Sequence, residues 1–131
     1  MKVHAQRKGF DCGIAALASF VGADYEDVYA CAVAVSPTFR QGLAMREMIT
    51  IAEAFGHPLE RVDYRKVDLL EDVGILGVNW HRSMWKIHGG VGHWVVLRRG
   101  TIIDPVGPTY DDAGVYLKER KGRPGTLLRM A

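Results

Sequence analysis

The spacing of the apolar residues changes near the middle of this 131-residue chain. Up to about Gly56 the apolar residues recur every three or four positions, which is the period of an amphipathic helix. Beyond Pro58 they alternate with polar residues or form short runs bounded by glycine, which is typical of strands. Because helices come first and strands follow, the sequence predicts an α+β fold in which N-terminal helices pack against one face of a C-terminal antiparallel β-sheet.

Three helices are predicted in the first half of the chain. The first begins at Cys12 and is ended by Gly22. The second is capped by Asp24 in a pattern that resembles a capping box, and it stops before Ser36. The third runs over 43–55. The predicted inward-facing residues are Ile14, Ala15, Leu17, Ala18, Val21, Val28, Cys31, Ala32, Val35, Leu43, Met48, Ile51, Ala52 and Phe55.

The second half is predicted to form strands with one short helix. We expect strands over 59–64, 75–80, 93–98, 101–104 and 126–130, and a helix over 111–120. Arg99-Gly100 stands between two strand patterns and predicts a hairpin turn. That turn would bring His93 and the 104–106 region to the same end of the ribbon.

Length and composition indicate one globular domain that spans 1–131. The chain is 48% hydrophobic and has a net charge of +2, so neither nucleic acid nor a membrane surface is an expected partner. No apolar run is long enough to cross a bilayer and no secretion signal is visible, so we expect a cytoplasmic protein. Two cysteines are too few for a disulfide scaffold, although a Cys12–Cys31 bridge stays open.

Cys12 lies where the first predicted helix begins. The unpaired N–H groups and the positive end of the helix dipole at that point favour thiolate over thiol. A thiolate nucleophile also needs a base or a cationic partner, which is usually histidine. Without such a partner, a cysteine at a helix start is more commonly a buried and inert residue.

His93 is the best placed of the five histidines to act as that partner. It opens an apolar strand, and Gly92 beside it permits close approach of a substrate. Asp104, at the end of the next strand, can orient the imidazole through its other nitrogen. The side chain of Gln6 and the backbone N–H of Cys12 can donate to an oxyanion.

The motifs that contain these residues occur in the order found in a known family. Gln6 precedes Cys12 by six positions, the cysteine lies in DCGIAAL (11–17), and GHWVVL (92–97) and IIDP (102–105) follow. With the helical block RQGLAMREMITIAEAFG (40–56), this order resembles the bacteriocin-processing cysteine peptidases, family thirty-nine of the papain-like clan. The resemblance covers about 6–129.

The resemblance implies a papain-like cysteine peptidase fold and a set of roles. Cys12 would be the nucleophile, His93 the general base and acid, Asp104 the orienting residue, and Gln6 the oxyanion donor. No transmembrane or ATPase segment follows, so we expect a stand-alone domain and carry over neither the export role nor the double-glycine leader specificity of the exporters. The substrate would be a peptide or protein, bound without a cofactor or metal. The expected substrate-binding residues are Gly13, Gly92, Trp94 and His88.

Other functions stay open at this point. The same fold can be a catalytically silent peptide-binding module, or a related acyl-transfer or deamidase-type enzyme. Cell-wall hydrolases with a similar nucleophile prefer Asp-Cys-Ser-Gly, which this chain lacks. A zinc site made of Cys12, His93 and Asp104 has no supporting ligand spacing. Asp11 is expected to cap the nucleophile helix, and the aromatic loop over 80–92 is a candidate substrate lid.

Overall fold

A computed structural model of the chain describes residues 11–36, 42–105, 107 and 109–131. Helices occupy the first part and strands the second, as the change in apolar spacing predicts. The helices and strands are α1 (Cys12–Val21), α2 (Tyr25–Val35), α3 (Met45–Ala54), β1 (Leu59–Val62), β2 (Val73–Trp80), α4 (Trp85–His88), β3 (Gly92–Arg98), β4 (Thr101–Ile103), α5 (Ala113–Arg120) and β5 (Gly122–Met130). Two 3-10 turns lie at Tyr64–Lys66 and Arg82–Met84.

The five strands form one sheet in the order β1-β5-β2-β3-β4, and every pairing is antiparallel. The last strand, β5, inserts between β1 and β2, whereas β2, β3 and β4 are neighbours both in sequence and in the sheet. In the β3–β4 hairpin Arg99 and Gly100 both have positive φ angles, 44° and 87°. This is the conformation that a tight two-residue hairpin requires. The predicted α+β class and the predicted hairpin are both confirmed.

The sheet has a helix layer on each face: the N-terminal helices cover one face, as predicted, and α5 covers the other. Helices α1 to α3 share one apolar cluster with Ile75, Val96 and Leu128. Helix α5 belongs to a second cluster with the neighbouring residues, including Leu76 and Val95. Successive strand residues point to opposite faces, so strands whose consecutive residues are all buried need cover on both sides.

The helix boundaries agree closely with the sequence pattern, but two predicted side-chain roles in α2 are not observed. Gly22 ends α1 in the left-handed conformation with φ of 73°. Asp24 occupies the N-cap position of α2, but its side chain makes no capping hydrogen bond. Val35 was predicted to face inward, yet it is 37% exposed. It is the last residue of α2.

The segment 80–92 is more ordered than the open loop that the sequence predicts. It contains the 3-10 turn Arg82–Met84 and the single helical turn α4. His81 caps the first of these, because its Nδ1 accepts the Ser83 N–H at 3.1 Å. The indole of Trp85 donates to the carbonyl oxygen of Trp80 at 3.1 Å, which ties the turn to the end of β2.

Candidate active site

Cys12 is the first residue of α1, and its side chain is only partly buried. The rest of the helix is almost fully buried, because α1 packs between α2, α3 and the face of β3. This packing brings the N-terminus of α1 to the beginning of β3. There Cys12 and His93 line one groove, and Cys12 is close enough to raise the pKa of His93. Motifs from the two halves of the sequence thus meet at one point.

His93 is held from its other side by Asp104. The imidazole Nε2 lies 2.8 Å from Asp104 Oδ1. Both side chains are nearly out of solvent, 10% exposed for His93 and 1% for Asp104. The β3–β4 hairpin places the two residues at the same end of the ribbon, as predicted. Because Nε2 is engaged by the carboxylate, Nδ1 is the ring nitrogen left for the thiol.

The surroundings of His93 favour its protonated form. Burial by itself lowers the pKa of His93, but hydrogen bonds to Asp104 and Cys12, together with their charges, outweigh it and raise the pKa to about 9. At neutral pH the stable state is therefore an imidazolium between a carboxylate and a sulfur. An imidazolium beside a cysteine is the charge partner that a thiolate nucleophile requires.

Two aromatic residues that the sequence analysis did not assign to the site complete it. The hydroxyl of Tyr116 donates to Asp104 Oδ2 at 2.5 Å. Burial first, and then the Asp104 charge, raise the pKa of Tyr116 far above its ordinary value, so the hydroxyl stays protonated. Trp80 stacks on the imidazole of His93, with ring centroids 5.8 Å apart and an angle of 27° between the planes.

A groove of about 590 Å³ opens beside Cys12 and His93. Its walls come from the segment that leads into α3 and from the ends of β2, β3 and β5. Its lining includes Cys12, Leu43, Glu47, Gly77, Asn79, Gly92, His93, Trp94 and Gly125. The Trp94 indole donates to the Leu43 carbonyl oxygen at 3.0 Å and so joins the two walls. The predicted substrate-binding residues Gly92 and Trp94 therefore both lie in the groove.

The floor of the groove is a flat strip of backbone. Gly77, Gly92 and Gly125 stand on the neighbouring strands β2, β3 and β5. A Cβ atom on Gly125 would lie 3.0 Å from the Gly77 carbonyl oxygen, and one on Gly92 would lie 3.1 Å from the Val78 carbonyl oxygen. These glycines therefore let the strands approach closely at the groove. Asn79, which is exposed, is the polar side chain between Gly92 and Gly125.

Two predicted substrate-binding residues lie away from the groove lining. Gly13 is buried against α3, and a Cβ atom there would lie 2.9 Å from Met48 Sδ. His88 ends α4, where its Nε2 pairs with the Arg120 carbonyl oxygen at 3.0 Å and its ring contacts Trp80. Gly13 and His88 therefore pack against their neighbours and do not line the groove. In each case the partner comes from a distant segment, which local sequence cannot show.

Two further predictions concern residues next to the nucleophile. Gln6, the predicted oxyanion donor, lies outside the described residues. Asp11 occupies the N-cap position of α1 as expected, but its side chain makes no capping hydrogen bond. Instead its carboxylate accepts a hydrogen bond from the Tyr25 hydroxyl. Asp11 is fully buried, so it links the beginnings of α1 and α2 from inside.

The two cysteines are both free, so the Cys12–Cys31 bridge that the sequence left open is absent. Cys31 packs against the cluster formed by α1 to α3. Burial raises the pKa of the Cys31 thiol. Its surroundings thus agree with the predicted core role.

Comparison with known proteins adds no relative to this description. No model of a known protein family matches the chain, and no curated protein matches it in sequence. The resemblance to papain-like peptidases therefore rests on the motifs alone.

Across the described ranges, no helix has the length and apolar character needed to cross a membrane. Within the same ranges no three His, Cys, Asp or Glu side chains are grouped to hold a metal ion, so the zinc alternative gains no support.

Proposed function

We propose that this protein is a cysteine-type peptidase of the papain-like kind, related to the bacteriocin-processing family, that hydrolyses an amide bond in a peptide or protein. One observation carries the proposal: Cys12 lies beside His93 at an open groove, and Asp104 holds His93 from the other side. A nucleophile, a base bonded to it and a group that orients the base are the parts that covalent acyl transfer requires.

The chemistry follows from the protonation state of the pair. The Cys12 thiolate attacks the substrate carbonyl carbon, and the oxyanion is held by the Cys12 backbone N–H with the predicted help of Gln6. His93 then gives its Nδ1 proton to the leaving amine as the C–N bond breaks and a thioester remains. Neutral His93 next removes a proton from water, whose oxygen attacks the thioester. The carboxylic acid product leaves, and the thiolate–imidazolium pair is restored.

The shape of the groove favours an extended substrate. Its floor is strand backbone with Asn79 as an exposed amide, and its walls include the Trp94 ring and the apolar Leu43. A peptide main chain laid across this floor can bond to the Asn79 amide, and apolar side chains meet the walls. The reaction needs Cys12 as a reduced thiol, and we therefore propose that the protein acts in the cytoplasm, where thiols are kept reduced.

Cleavage of a complex peptide mixture tests the proposal without knowledge of the substrate. The purified protein is incubated with unfolded proteome-derived peptides, and new N-termini are identified by mass spectrometry. Wild-type protein and the Cys31→Ala variant are expected to generate the same new termini, whereas Cys12→Ala and His93→Ala generate none. Circular dichroism checks that each variant is folded.

The outcomes separate a peptidase from its alternatives. New termini that persist in Cys12→Ala would show that Cys12 is not the nucleophile. Peptides that bind wild-type protein without being cut would indicate a silent binding module instead. Deamidation without new termini would indicate a deamidase, because the acyl intermediate would then form at a side-chain amide.

A further inference from the structure

The carboxylate that orients His93 is itself held by a residue on the far side of the sheet. Asp104 is 3% exposed, and its two oxygens face different partners. Oδ1 pairs with His93 Nε2 at 2.8 Å, and Oδ2 accepts the Tyr116 hydroxyl at 2.5 Å. Tyr116 is fully buried and lies on α5, the helix that covers the second face of the sheet.

A buried carboxylate without enough donors would take up a proton or rotate. Either change would end its pairing with the imidazole, because a protonated carboxyl cannot accept as a charged partner. A charge-assisted O–H···O bond is short and strong, and the Tyr116–Asp104 distance falls in that range. The hydroxyl therefore favours both the charge and the orientation of Asp104.

The packing around Tyr116 fixes where its hydroxyl points. The Arg120 guanidinium lies 5.7 Å from the ring centroids of both Tyr116 and Trp80. Tyr110 packs edge-on against Tyr116 at 5.0 Å. Arg120, Tyr110 and Asp104 are the titratable and charged groups that act on Tyr116. Trp80 bridges this cluster to the imidazole on which it stacks.

We propose that Tyr116 is a positioning residue of the active site, which acts on Cys12 through Asp104 and His93 by keeping the Asp104 carboxylate ionised and directed at the imidazole. The inference rests on the proposed function, since it assigns a role within the same site. It makes α5 part of the catalytic arrangement, even though α5 lies on the opposite face of the sheet from α1.

The pH profile of Cys12 alkylation tests this role. The rate of iodoacetamide modification at Cys12 is measured by mass spectrometry from acid to neutral pH in wild type, Tyr116→Phe and Tyr110→Phe. In Tyr116→Phe the acid limb is expected to move up by about one pH unit and the rate on that limb to fall about tenfold, the size of one hydrogen bond to a charged group. Tyr110→Phe removes a hydroxyl from the same cluster and is expected to keep the wild-type profile.

The outcomes distinguish this inference from the proposed function. If wild-type Cys12 reacts no faster than an ordinary thiol, the proposed function itself fails. If wild-type Cys12 is activated and Tyr116→Phe keeps the wild-type acid limb, only the role of Tyr116 is overturned. If Tyr116→Phe does not fold, the Tyr116 Cζ chemical shift of wild-type protein is followed by NMR over the same pH range. A constant shift across the acid limb would support the inference, because Asp104 then stays ionised and bonded to the hydroxyl, and a step at that limb would overturn it.

Discussion

The two cysteine-bearing helices, α1 and α2, belong to the same apolar cluster, yet they place their sulfur atoms in opposite chemical settings. Both cysteines are partly buried. Cys12 starts α1 and contacts His93 beside an open groove. Cys31 lies in the middle of α2 against apolar neighbours, and burial raises its pKa. Exposure is alike in the two cases, so the neighbours decide which sulfur can react.

Position along the helix explains much of this difference. The first residue of a helix lies beside unpaired N–H groups and the positive end of the dipole, whereas a residue in the middle of a helix does not. The second contribution is tertiary, because the imidazolium that faces Cys12 comes from β3. Each protein molecule therefore contains its own control thiol.

The largest expected effect is the loss of selective labelling when the imidazole is removed. At pH 6 an ordinary thiol is about one part in 300 ionised, so a thiolate held by His93 gains roughly tenfold in iodoacetamide labelling after allowance for its lower nucleophilicity. Because burial also raises the pKa of Cys31, in wild type we expect Cys12 to react more than about tenfold faster than Cys31, and in His93→Ala the two rates to become similar. Peptide mapping gives both rates from one sample. Slow labelling of Cys31 in the variant shows that the fold is retained, and an unchanged ratio would refute the pairing.

The second expected effect is a loss of stability at high pH that originates at His93, the residue beside Cys12. The pKa of His93 is about 9 in the folded state against about 6.5 when unfolded, so the folded state binds the proton more tightly. This contribution is fully present below about pH 6.5 and is lost as the pH rises through 9. We expect the free energy of unfolding to fall by at most about 3 kcal/mol over that range.

Urea unfolding at pH 6.5 and at pH 9 measures this loss in wild type and in His93→Gln. The variant lacks the titrating group, so its loss over the same interval is expected to be clearly smaller. An equal loss in both proteins would assign the pH dependence to other groups.

The smallest expected effect comes from a change in packing at Gly13, the residue after Cys12. Gly13→Ala places a Cβ atom 2.9 Å from Met48 Sδ and 3.3 Å from Leu43, so we expect a loss of about 1–2 kcal/mol in unfolding free energy. Because the Leu43 carbonyl oxygen holds Trp94, Cys12 labelling should also slow slightly. Cys31→Ala is the matched change on α2 and is expected to leave Cys12 labelling unchanged. If Gly13→Ala keeps the wild-type free energy of unfolding, Met48 and Leu43 can move to make room for the added methyl group.

Much of the fold was predictable because local rules decide it. The limits of α1 follow from the apolar spacing and from Gly22, whose left-handed φ ends the helix. The β3–β4 hairpin follows from Arg99-Gly100, and with it the meeting of His93 and Asp104. The expectation that Asp11 makes a capping hydrogen bond is wrong because its carboxylate bonds to Tyr25, which is 14 residues away in the sequence.

By itself, then, the sequence determined the order and type of the elements and the four motifs that point to one site, since period, turn residues and helix starts are local properties. Only the tertiary structure decided that α5 covers the second face of the sheet and that Tyr116 reaches Asp104. A tyrosine among apolar helix residues has no local signal for such a contact. Its partner is chosen by which face the helix covers, and that choice depends on strands paired across the whole sheet.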